Sequence, residues 1–542
     1  MFAMNRRQFL QSSAALGLAM TLPACRELSH WGIPIQVYLP GMQEGHRLRD
    51  HTPLPKPSET RRVKVAILGS GVAGSFAGWR LQQAGLRDVV LVSGPEPAGN
   101  AAAGQFSASA DSAYPRGAHY LPLPSLASRH VRELLAAMGV IEDDPYSERP
   151  RYNETALIHA PQERLWVQGQ WQEGLLPHQG IPAAEIAEQQ RFMAAMQQLQ
   201  HAVGADGRKV FAIPLALSSQ DPQWRRLDQL SFAQWLGQQG YRAPSLLWYL
   251  DYACRDDYGI GLAQTSAWAG LHYFAARGGE AHNAEPGAVL TWPTGLNPIL
   301  QFMQQPLRQA GGWLPGMAVA LQPEDQHVAV DIWQQGKVIR LLAERVICAM
   351  PLHVAQRLLD LRTLGYEPGQ ALPHAAWQVS NFLLKRYPAE PAHTPLSWDN
   401  VVYGSPSLGF VNSTHQLIRA AKPAHTVFTA YHAYAGQDPR QVRAHLASAN
   451  ADALYQTAVQ DLATVYGFDR PIIAQEHIAA VEITLRGHAM SSPIPGFLSH
   501  SGLAALRQHS GRILFAHSDL SGLSVFEEAS WWGEQAAQRI LG

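Results

Sequence analysis

The chain has 542 residues, more than a single hydrophobic core usually covers, so we expect two or more domains. Hydrophobic residues make up 46% of it and charged residues 16%, a composition that favours a large folded interior and excludes a mainly disordered chain. The formal net charge is −1. This balance excludes the basic field on which nucleic-acid binding depends, and we expect no nucleic-acid partner.

The N-terminus carries the pattern of an export signal. Asn5-Arg6-Arg7-Gln8-Phe9-Leu10 resembles the twin-arginine motif, and the apolar stretch 14–22 is too short to span a bilayer. We therefore predict a signal peptide over residues 1–25, the twin-arginine translocase as its partner, and a periplasmic or otherwise exported protein. Residues 26–62, rich in Pro, His and Arg, are expected to form a linker or surface arm.

The end of the leader leaves one question open. Leu22-Pro23-Ala24-Cys25 resembles a lipobox, in which the cysteine would be acylated and become the N-terminal residue after cleavage. Proline is atypical at the second position of that box. A lipid anchor at Cys25 and simple cleavage near Ala24 are both compatible with the sequence.

The remaining cysteines and the histidines argue against two further classes of protein. Outside the leader there are only Cys254 and Cys348, too few for a disulfide framework. A single bridge between them is one alternative, but two separate buried thiols are favoured. The 23 histidines show no H-E-x-x-H or comparable compact spacing, so we predict no metal site.

A strand, a glycine-rich turn and a helix follow the arm. Residues 63–68 are typical of a buried parallel strand, Gly69-Ser70-Gly71-Val72-Ala73-Gly74 comes next, and a helical stretch leads to a second apolar strand, 89–93. This is G-x-G-x-x-G in the setting of dinucleotide-binding sites. Gly69 would make the tight turn, and Gly71 would let backbone N–H groups approach a pyrophosphate. Gly74 would let the helix pack closely on the sheet, with the helix N-terminus facing the phosphates.

The end of the second strand departs from this pattern. The acidic residue that usually binds the ribose hydroxyls is replaced by Ser93. Two interpretations stay open: Ser93 hydrogen-bonds the ribose itself, or Glu96 reaches back to it.

Further motifs are distributed along the chain up to its C-terminus. They are Gly94-Pro95-Glu96-Pro97-Ala98-Gly99-Asn100, Pro115-Arg116-Gly117-Ala118-His119-Tyr120-Leu121-Pro122, Trp292-Pro293-Thr294-Gly295, the stretch 316–321, Val346-Ile347-Cys348-Ala349-Met350-Pro351, and the stretches 511–519, 524–529 and 533–537. Together they resemble the flavin-containing amine oxidase and phytoene desaturase superfamily. The resemblance covers residues 63–542 in outline, and its motifs are concentrated at both ends.

The resemblance implies FAD as the cofactor. In the family, a G-G-[RN] turn passes the FAD phosphates and a G-x-[HW] segment runs beside the flavin ring; here Ala98 replaces the first glycine of that turn. A later strand touches adenine, and a terminal helix points its N-terminus at the flavin edge. His517 stands where glycine is usual, and Asp519 is displaced by one position. The cofactor-binding residues that follow from the glycine turn and the resemblance are Gly69, Gly71, Val72, Ala73, Gly74, Ser93, Gly99, Asn100, Gly117, Ala118, His119, Tyr120, Ala318, Ser518, Asp519, Phe526, Glu528 and Ala529.

The expected fold class is α/β. A Rossmann-like FAD-binding domain of GR2 type would be assembled from residues 63–124, 286–364 and 481–542. An inserted α+β substrate domain would comprise residues 125–285 and 365–480. In the first insertion, the polar stretch 248–259 has two interpretations: a patch facing a substrate channel, or an ion pair of Arg255 at a helix end, the latter being favoured.

The chemistry is less well defined than the fold. Candidates for a catalytic role are His119, Asn381, Tyr403 and His415, with Trp398 and Asp399 as further residues that could line the cavity. The chain has only six lysines, and Lys385, the one near the family's lysine position, does not match its register. Three hypotheses follow: an FAD-dependent oxidoreductase acting on a small, amine-like substrate, a desaturase or isomerase of an apolar substrate, and a degenerate flavin-binding protein without activity.

Overall fold

The structure is a computed structural model that describes residues 25–107, 112–391, 394–415, 417 and 424–542. The twin-arginine motif and residues 22–24 of the lipobox lie outside the described residues. The strands in the described part are, in chain order, β1 (Cys25–His30), β2 (Ile33–Tyr38), β3 (Glu59–Leu68), β4 (Val89–Val92), β5 (Ala103–Gln105), β6 (Ala113–Pro115), β7 (Tyr120–Pro122), β8 (Glu163–Val167), β9 (Gln170–Glu173), β10 (Val289–Thr291), β11 (Trp313–Leu314), β12 (Met317–Pro323), β13 (Val328–Gln334), β14 (Lys337–Cys348), β15 (His374–Leu384), β16 (Asp399–Val402), β17 (Phe410–Asn412), β18 (Thr426–Ala433), β19 (Ile478–Ser491) and β20 (Ile513–Phe515).

Helices connect these strands. They are α1 (Met42–Arg49), α2 (Val72–Gln83), α3 (Arg129–Ala137), α4 (Ala183–Gln200), α5 (Pro222–Arg225), α6 (Phe232–Gln238), α7 (Pro244–Tyr258), α8 (Ala267–Ala275), α9 (Asn297–Gln309), α10 (Leu352–Ala355), α11 (Pro439–Ser448), α12 (Ala451–Tyr466), α13 (Pro471–His477), α14 (Ser501–Gln508) and α15 (Phe526–Leu541). Among the described residues, no helix has both the length and the apolar character needed to cross a bilayer.

One sheet has the parallel core that the glycine turn predicts. Its order is β11-β4-β3-β14-β13-β12, with β20 added beside the end of β14. β3 pairs in parallel with both β4 and β14, and β14 pairs in parallel with β20, whereas β12, β13 and β14 form an antiparallel meander. The apolar run 65–68 is buried, and α2 packs against β3 and β4. The expected α/β class with a Rossmann-like domain is confirmed.

The second large sheet has the order β1-β2-β19-β15-β18-β17-β16-β8-β9. Its fourth strand, β15, is buried along almost its whole length and pairs antiparallel with β18 and β19. Strands from both expected insertions meet here, since β16 pairs in parallel with β8. In the first insertion, α6 begins with a capping box between Ser231 and Gln234, as its sequence pattern suggests.

The N-terminal segment corrects one expectation. Residues 26–62 are not a linker: they contribute β1, β2, α1 and the start of β3. β2 pairs in parallel with β19, with Ile35 opposite Val481. Ile33, Ile35 and Val37 are buried while the residues between them are exposed, the alternation expected of a half-buried strand. The surrounding Pro, His and Arg residues masked this signal in the sequence.

The expected boundary at residue 481 also has to move. It cuts β19, which runs unbroken from residue 478 to residue 491 and belongs to the nine-stranded sheet through its pairing with β15. The long ladder holds the strand as one unit. Cys254 and Cys348 are separate buried thiols, as favoured from the sequence.

Candidate functional site

A cavity of about 1010 Å³ opens at the carboxyl ends of β3, β4 and β14, between the two large sheets. Its volume lies at the upper end of the range of about 300–1,000 Å³ for small-molecule and cofactor sites. Ligands of open parallel sheets bind at this edge, where the loops that follow neighbouring strands diverge. The cavity is therefore where a dinucleotide held by the glycine turn would lie.

The glycine turn forms one wall of the cavity. Gly69 has φ +113°, and a Cβ there would lie 2.7 Å from the carbonyl oxygen of Ala349 on the neighbouring strand end. A Cβ on Gly71, by contrast, would meet no atom within 4 Å and would stand in the space of the cavity. No side chain caps the N-terminus of α2, which begins directly after Gly71. The first N–H groups of α2 are thus left for an anionic ligand.

The structure places almost all of the expected cofactor-binding residues on this cavity. Those that line it are Gly69, Gly71, Val72, Ala73, Ser93, Gly99, Asn100, Gly117, Ala118, His119, Tyr120, Ala318, Ser518, Asp519, Phe526 and Ala529. They come from segments that are far apart in sequence and meet at one edge of the sheet. This convergence fits a dinucleotide better than isolated structural roles do.

Two expected residues lie off the wall. Gly74 packs α2 on the sheet, because a Cβ there would lie 1.9 Å from the carbonyl oxygen of Gly69. Glu528 does not line the cavity, which corrects its expected role as a cofactor contact. Its carboxylate points into the protein, where it accepts the backbone N–H of Leu215 and the hydroxyl of Ser521, each at 2.5 Å. Burial raises the pKa of Glu528 to about 7.

Ser93 and Glu96, the two residues expected to bind the ribose, are both engaged in hydrogen bonds within the protein. The Ser93 hydroxyl donates to the carbonyl of Gly94 at 2.8 Å and accepts the N–H of Gly316 at 3.2 Å. Glu96 lies on the wall but is held by both terminal nitrogens of Arg486, at 2.7 and 2.9 Å. Arg486 also lines the cavity and donates to Asn100 at 3.1 Å. Because the Glu96 carboxylate neutralises this guanidinium, the pair adds no net charge to the cavity wall beside Asn100.

The C-terminal motif reaches the same space from the opposite side. The N-terminus of α15 has no side-chain cap, and Val525 and Phe526 line the cavity. Asp519 is buried, accepts the N–H of Leu352 at 2.8 Å and lies beside His374 and His517. Burial alone would raise the pKa of Asp519, but these two imidazoles outweigh it and hold it well below its usual value.

The far end of the cavity carries aromatic rings and two carboxylates. His119 stacks on Tyr431 with ring centroids 4.4 Å apart, and the Tyr431 hydroxyl donates to the carbonyl of Gly117 at 3.2 Å. Burial lowers the pKa of His119 to about 3, so the imidazole is neutral at ordinary pH. The Tyr120 hydroxyl donates to Asp256 at 3.3 Å.

The two carboxylates at this end differ in their partners. Asp257 forms an ion pair with Arg277. Asp256 accepts the Tyr120 hydroxyl instead, and burial, with a contribution from the neighbouring Asp257, raises its pKa to about 6. Both carboxylates line the cavity. Near neutral pH the cavity therefore contains a negative charge that a cationic group could neutralise.

Three of the four catalytic candidates lie away from the cavity. Asn381 is buried in the nine-stranded sheet, where it donates to Pro115 at 3.2 Å and accepts the Thr429 hydroxyl at 2.7 Å. Tyr403 packs against Trp248, and His415 contacts the carbonyl of His159 at 3.0 Å. Asn381 lies on the same face of β15 as Trp377 and Val379 of the cavity wall but further along the strand, and Tyr403 and His415 lie just after β16 and β17.

Of the four catalytic candidates, His119 lines the cavity. Lys385 is exposed and donates to the carbonyl of Gln475, and no lysine lines the described part of the cavity. Trp398 lies behind the wall, with its ring centroid 5.5 Å from that of His119, and Asp399 likewise lies off the wall.

The residues missed from the sequence are Asp256, Tyr431 and Trp377, all of which line the cavity. The polar stretch 248–259 gave a signal for Asp256. Within it, Arg255 is the helix ion pair that we favoured, bonded to Asp251 at 2.9 Å. Asp256 and Asp257 are the members that face the cavity, so both interpretations of the stretch hold for different residues.

Comparisons with known proteins agree with this architecture. Residues 67–138 match the model of the NAD(P)-binding Rossmann-like domain. Residues 3–23 match the TAT (twin-arginine translocation) pathway signal sequence. The sequence matches no curated protein. The chain thus carries a Rossmann-like dinucleotide-binding domain behind a twin-arginine export signal.

Solved structures share the fold over most of the chain. A putrescine oxidase bound to putrescine is 17% identical, with a TM-score of 0.59 over 89% of this chain and 99% of that one. Cyclohexylamine oxidase from Brevibacterium oxydans IH-35A is 16% identical, with a TM-score of 0.61 over 88% and 98%. A CLA-producing fatty acid isomerase from P. acnes is 16% identical, with a TM-score of 0.57 over 88% and 98%. At these identities the likeness establishes a common fold.

Proposed function

We propose that this protein is an exported FAD-dependent oxidoreductase that oxidises a small amine. One observation carries the proposal. The glycine turn and the N-terminus of α15 form one end of a cavity, and the other end contains the carboxylate of Asp256 among aromatic rings. Two of the solved structures with this fold are, by their names, oxidases of putrescine and cyclohexylamine. The amines in these names support an amine as the substrate of this protein, and the negative charge of the cavity agrees with that.

The residues on the wall fit FAD. Gly71 leaves room for a pyrophosphate, and the N–H groups of Val72 and Ala73 would bind it. Ala318 on β12 would contact the adenine, and the N-terminus of α15 would face the flavin ring. Bound FAD would supply the hydride acceptor.

The other end of the cavity would hold the substrate. Asp256 would bind the ammonium group of the amine, since its carboxyl is ionised above about pH 6. As the amine approaches the flavin, the same carboxylate is a suitable proton acceptor because its pKa lies near neutrality. The stacked rings of His119 and Tyr431 would exclude water from the carbon that is oxidised.

The test is anaerobic mixing of the FAD-loaded protein with a panel of primary amines and diamines. Bleaching of the flavin by at least one amine, followed by recovery of its colour and release of peroxide on admitting oxygen, is the expected result. If no peroxide is formed, the electron acceptor to test in place of oxygen is a quinone analogue, because an exported enzyme has no access to the NAD(P)H pool. A flavin that every amine leaves oxidised, but that dithionite reduces, would reject the amine substrate.

The fatty acid isomerase with the same fold supports a second candidate function, the desaturation or isomerisation of an apolar substrate. An apolar substrate would need a long apolar tunnel, whereas Asp256, Asp257 and Arg277 line the cavity here. Conversion of an unsaturated fatty acid by a protein inert to amines would favour the second function. The absence of any turnover with both classes would favour the degenerate flavin-binding protein.

The twin-arginine signal supports export of the folded, cofactor-loaded protein to the periplasm. Acylation of Cys25 and cleavage without a lipid remain two alternatives. Because β1 begins at Cys25, an acyl chain there would hold the folded protein directly at the membrane surface, without a flexible tether. The mass of the mature N-terminal peptide distinguishes the two.

A further inference from the structure

Histidines and one aspartate cluster on the cavity wall; Asp519 is also among the expected cofactor-binding residues, whereas His353 and His374 have no role in the proposed reaction. His353 lies in α10, His374 begins β15, and Asp519 follows β20. One potential ligand atom from each of these three lies within 4.8 Å of the others. His488 stacks on His353 with ring centroids 4.2 Å apart. The cluster therefore joins three segments that are distant in the sequence.

The hydrogen bonds in the cluster bring acceptor atoms together. Asp519 Oδ1 lies 3.1 Å from His374 Nε2 and 3.2 Å from His517 Nδ1. His517 Nδ1 accepts the backbone N–H of Asp519 at 3.1 Å, so it carries a lone pair rather than a proton. His353 Nδ1 is buried and has no hydrogen-bond partner in the described part of the chain. Lone pairs this close require a positive charge between them, either a proton or a metal ion.

The donor set matches one class of cation. Two imidazoles and one carboxylate are ligands typical of zinc and its first-row neighbours, whereas calcium and magnesium prefer oxygen ligands alone. Three protein ligands leave a fourth position open toward the cavity.

We propose that His353, His374 and Asp519 bind a divalent first-row transition metal ion, with zinc as the probe. The ion would connect the strand ends of the dinucleotide-binding sheet, through His353 and Asp519, to the start of β15 in the nine-stranded sheet. It would hold the two sheets together beside the cavity. The histidine spacing in the sequence predicted no metal site, because the ligands converge only in the fold.

The experiment uses FAD-loaded protein that carries no histidine tag and has been dialysed against a chelator. Zinc is added and titrated by calorimetry, bound zinc is counted by mass spectrometry after gel filtration, and cobalt(II) replaces zinc for the visible spectrum. We expect one zinc ion per chain, a raised Tm, and a cobalt spectrum typical of low coordination number. The flavin content reports separately on the cofactor, so loss of metal binding does not imply loss of the flavin.

The variant His353→Gln tests the ligand set, because His353 has fewer structural contacts than Asp519. We expect a loss of zinc affinity of about tenfold or more. The control variant His432→Gln changes a half-buried histidine that contacts Ser407, away from the cavity, and should bind zinc as the wild type does. Zinc binding that is absent in the wild type, unchanged in His353→Gln, or seen only after FAD is removed would overturn the proposal.

Discussion

Gly533 of α15 packs directly against the backbone of Ala73 in α2: a Cβ at position 533 would lie 2.3 Å from the carbonyl oxygen of Ala73. The two helices begin on opposite sides of the cavity, and this close approach fixes the distance between their N-termini. The proposed cofactor depends on that distance, because its pyrophosphate and its flavin ring would each meet one of the two helix ends.

Gly533→Val should separate the two helices and weaken FAD binding by about tenfold or more, since the new side chain cannot fit without a backbone shift. Flavin content and FAD affinity of the purified protein measure the effect. Gly237→Ala is the control, because a Cβ on this exposed helical glycine meets nothing within 4 Å. Full flavin occupancy in Gly533→Val would show that FAD binding does not depend on the packing of α2 on α15.

Gly71→Val should abolish FAD binding with little effect on the stability of the FAD-free protein. The new side chain would stand in the open space where the pyrophosphate is expected, touching no protein atom within 4 Å at its Cβ. The measurements are the FAD content and the Tm of the FAD-free protein. A variant that binds FAD normally would place the phosphates elsewhere, and one that fails to fold would assign Gly71 a structural role.

Asp256→Asn should lower kcat/KM for the amine substrate by about one to two orders of magnitude, because it removes the charge that binds the ammonium group. In the wild type, KM should rise as the pH falls through about 6, where the Asp256 carboxyl takes up a proton. The variant should lack this rise. Asp452→Asn, which removes an exposed carboxylate, serves as the control. An unchanged pH profile in Asp256→Asn would exclude this carboxylate from substrate binding.

Glu528→Gln should stabilise the protein at pH 8 by about 2 kcal/mol and have a smaller effect at pH 5. The folded-state pKa of Glu528, about 7, lies above its usual value of 4.5 because the carboxyl is buried. Its protonated form is therefore favoured by folding, and the stability that it contributes is lost as the pH rises from about 4.5 to 7. Denaturant unfolding at several pH values measures this, with the exposed Glu148→Gln as control. A variant that is less stable than the wild type at pH 8 would contradict the assignment.

The dinucleotide-binding half could be predicted from the sequence because its signals are local. The turn at Gly69 and Gly71 is encoded within six residues, and the strand before it has a continuous apolar run. The C-terminal expectation was weaker in its details. The position of Glu528 in a helix did not reveal that its side chain turns inward to Leu215.

The substrate end and the metal cluster could not be predicted in the same way. Asp256 faces the cavity while Arg255 beside it does not, and that difference depends on how α7 packs. His353, His374 and Asp519 meet only through the pairing of strands from separate segments. Asn381 was expected near the reaction, but it lies two residues beyond Val379, the last residue of β15 on the cavity wall, and its amide is bonded to Pro115 and Thr429.

The absorption spectrum of protein purified from cofactor-replete cells, with the released cofactor identified by mass, tests the central claim most directly. The arrangement of Gly71 and the N-terminus of α15 around one cavity predicts a yellow protein that releases one FAD per chain. Colourless protein, or a nicotinamide dinucleotide as the released cofactor, would contradict it.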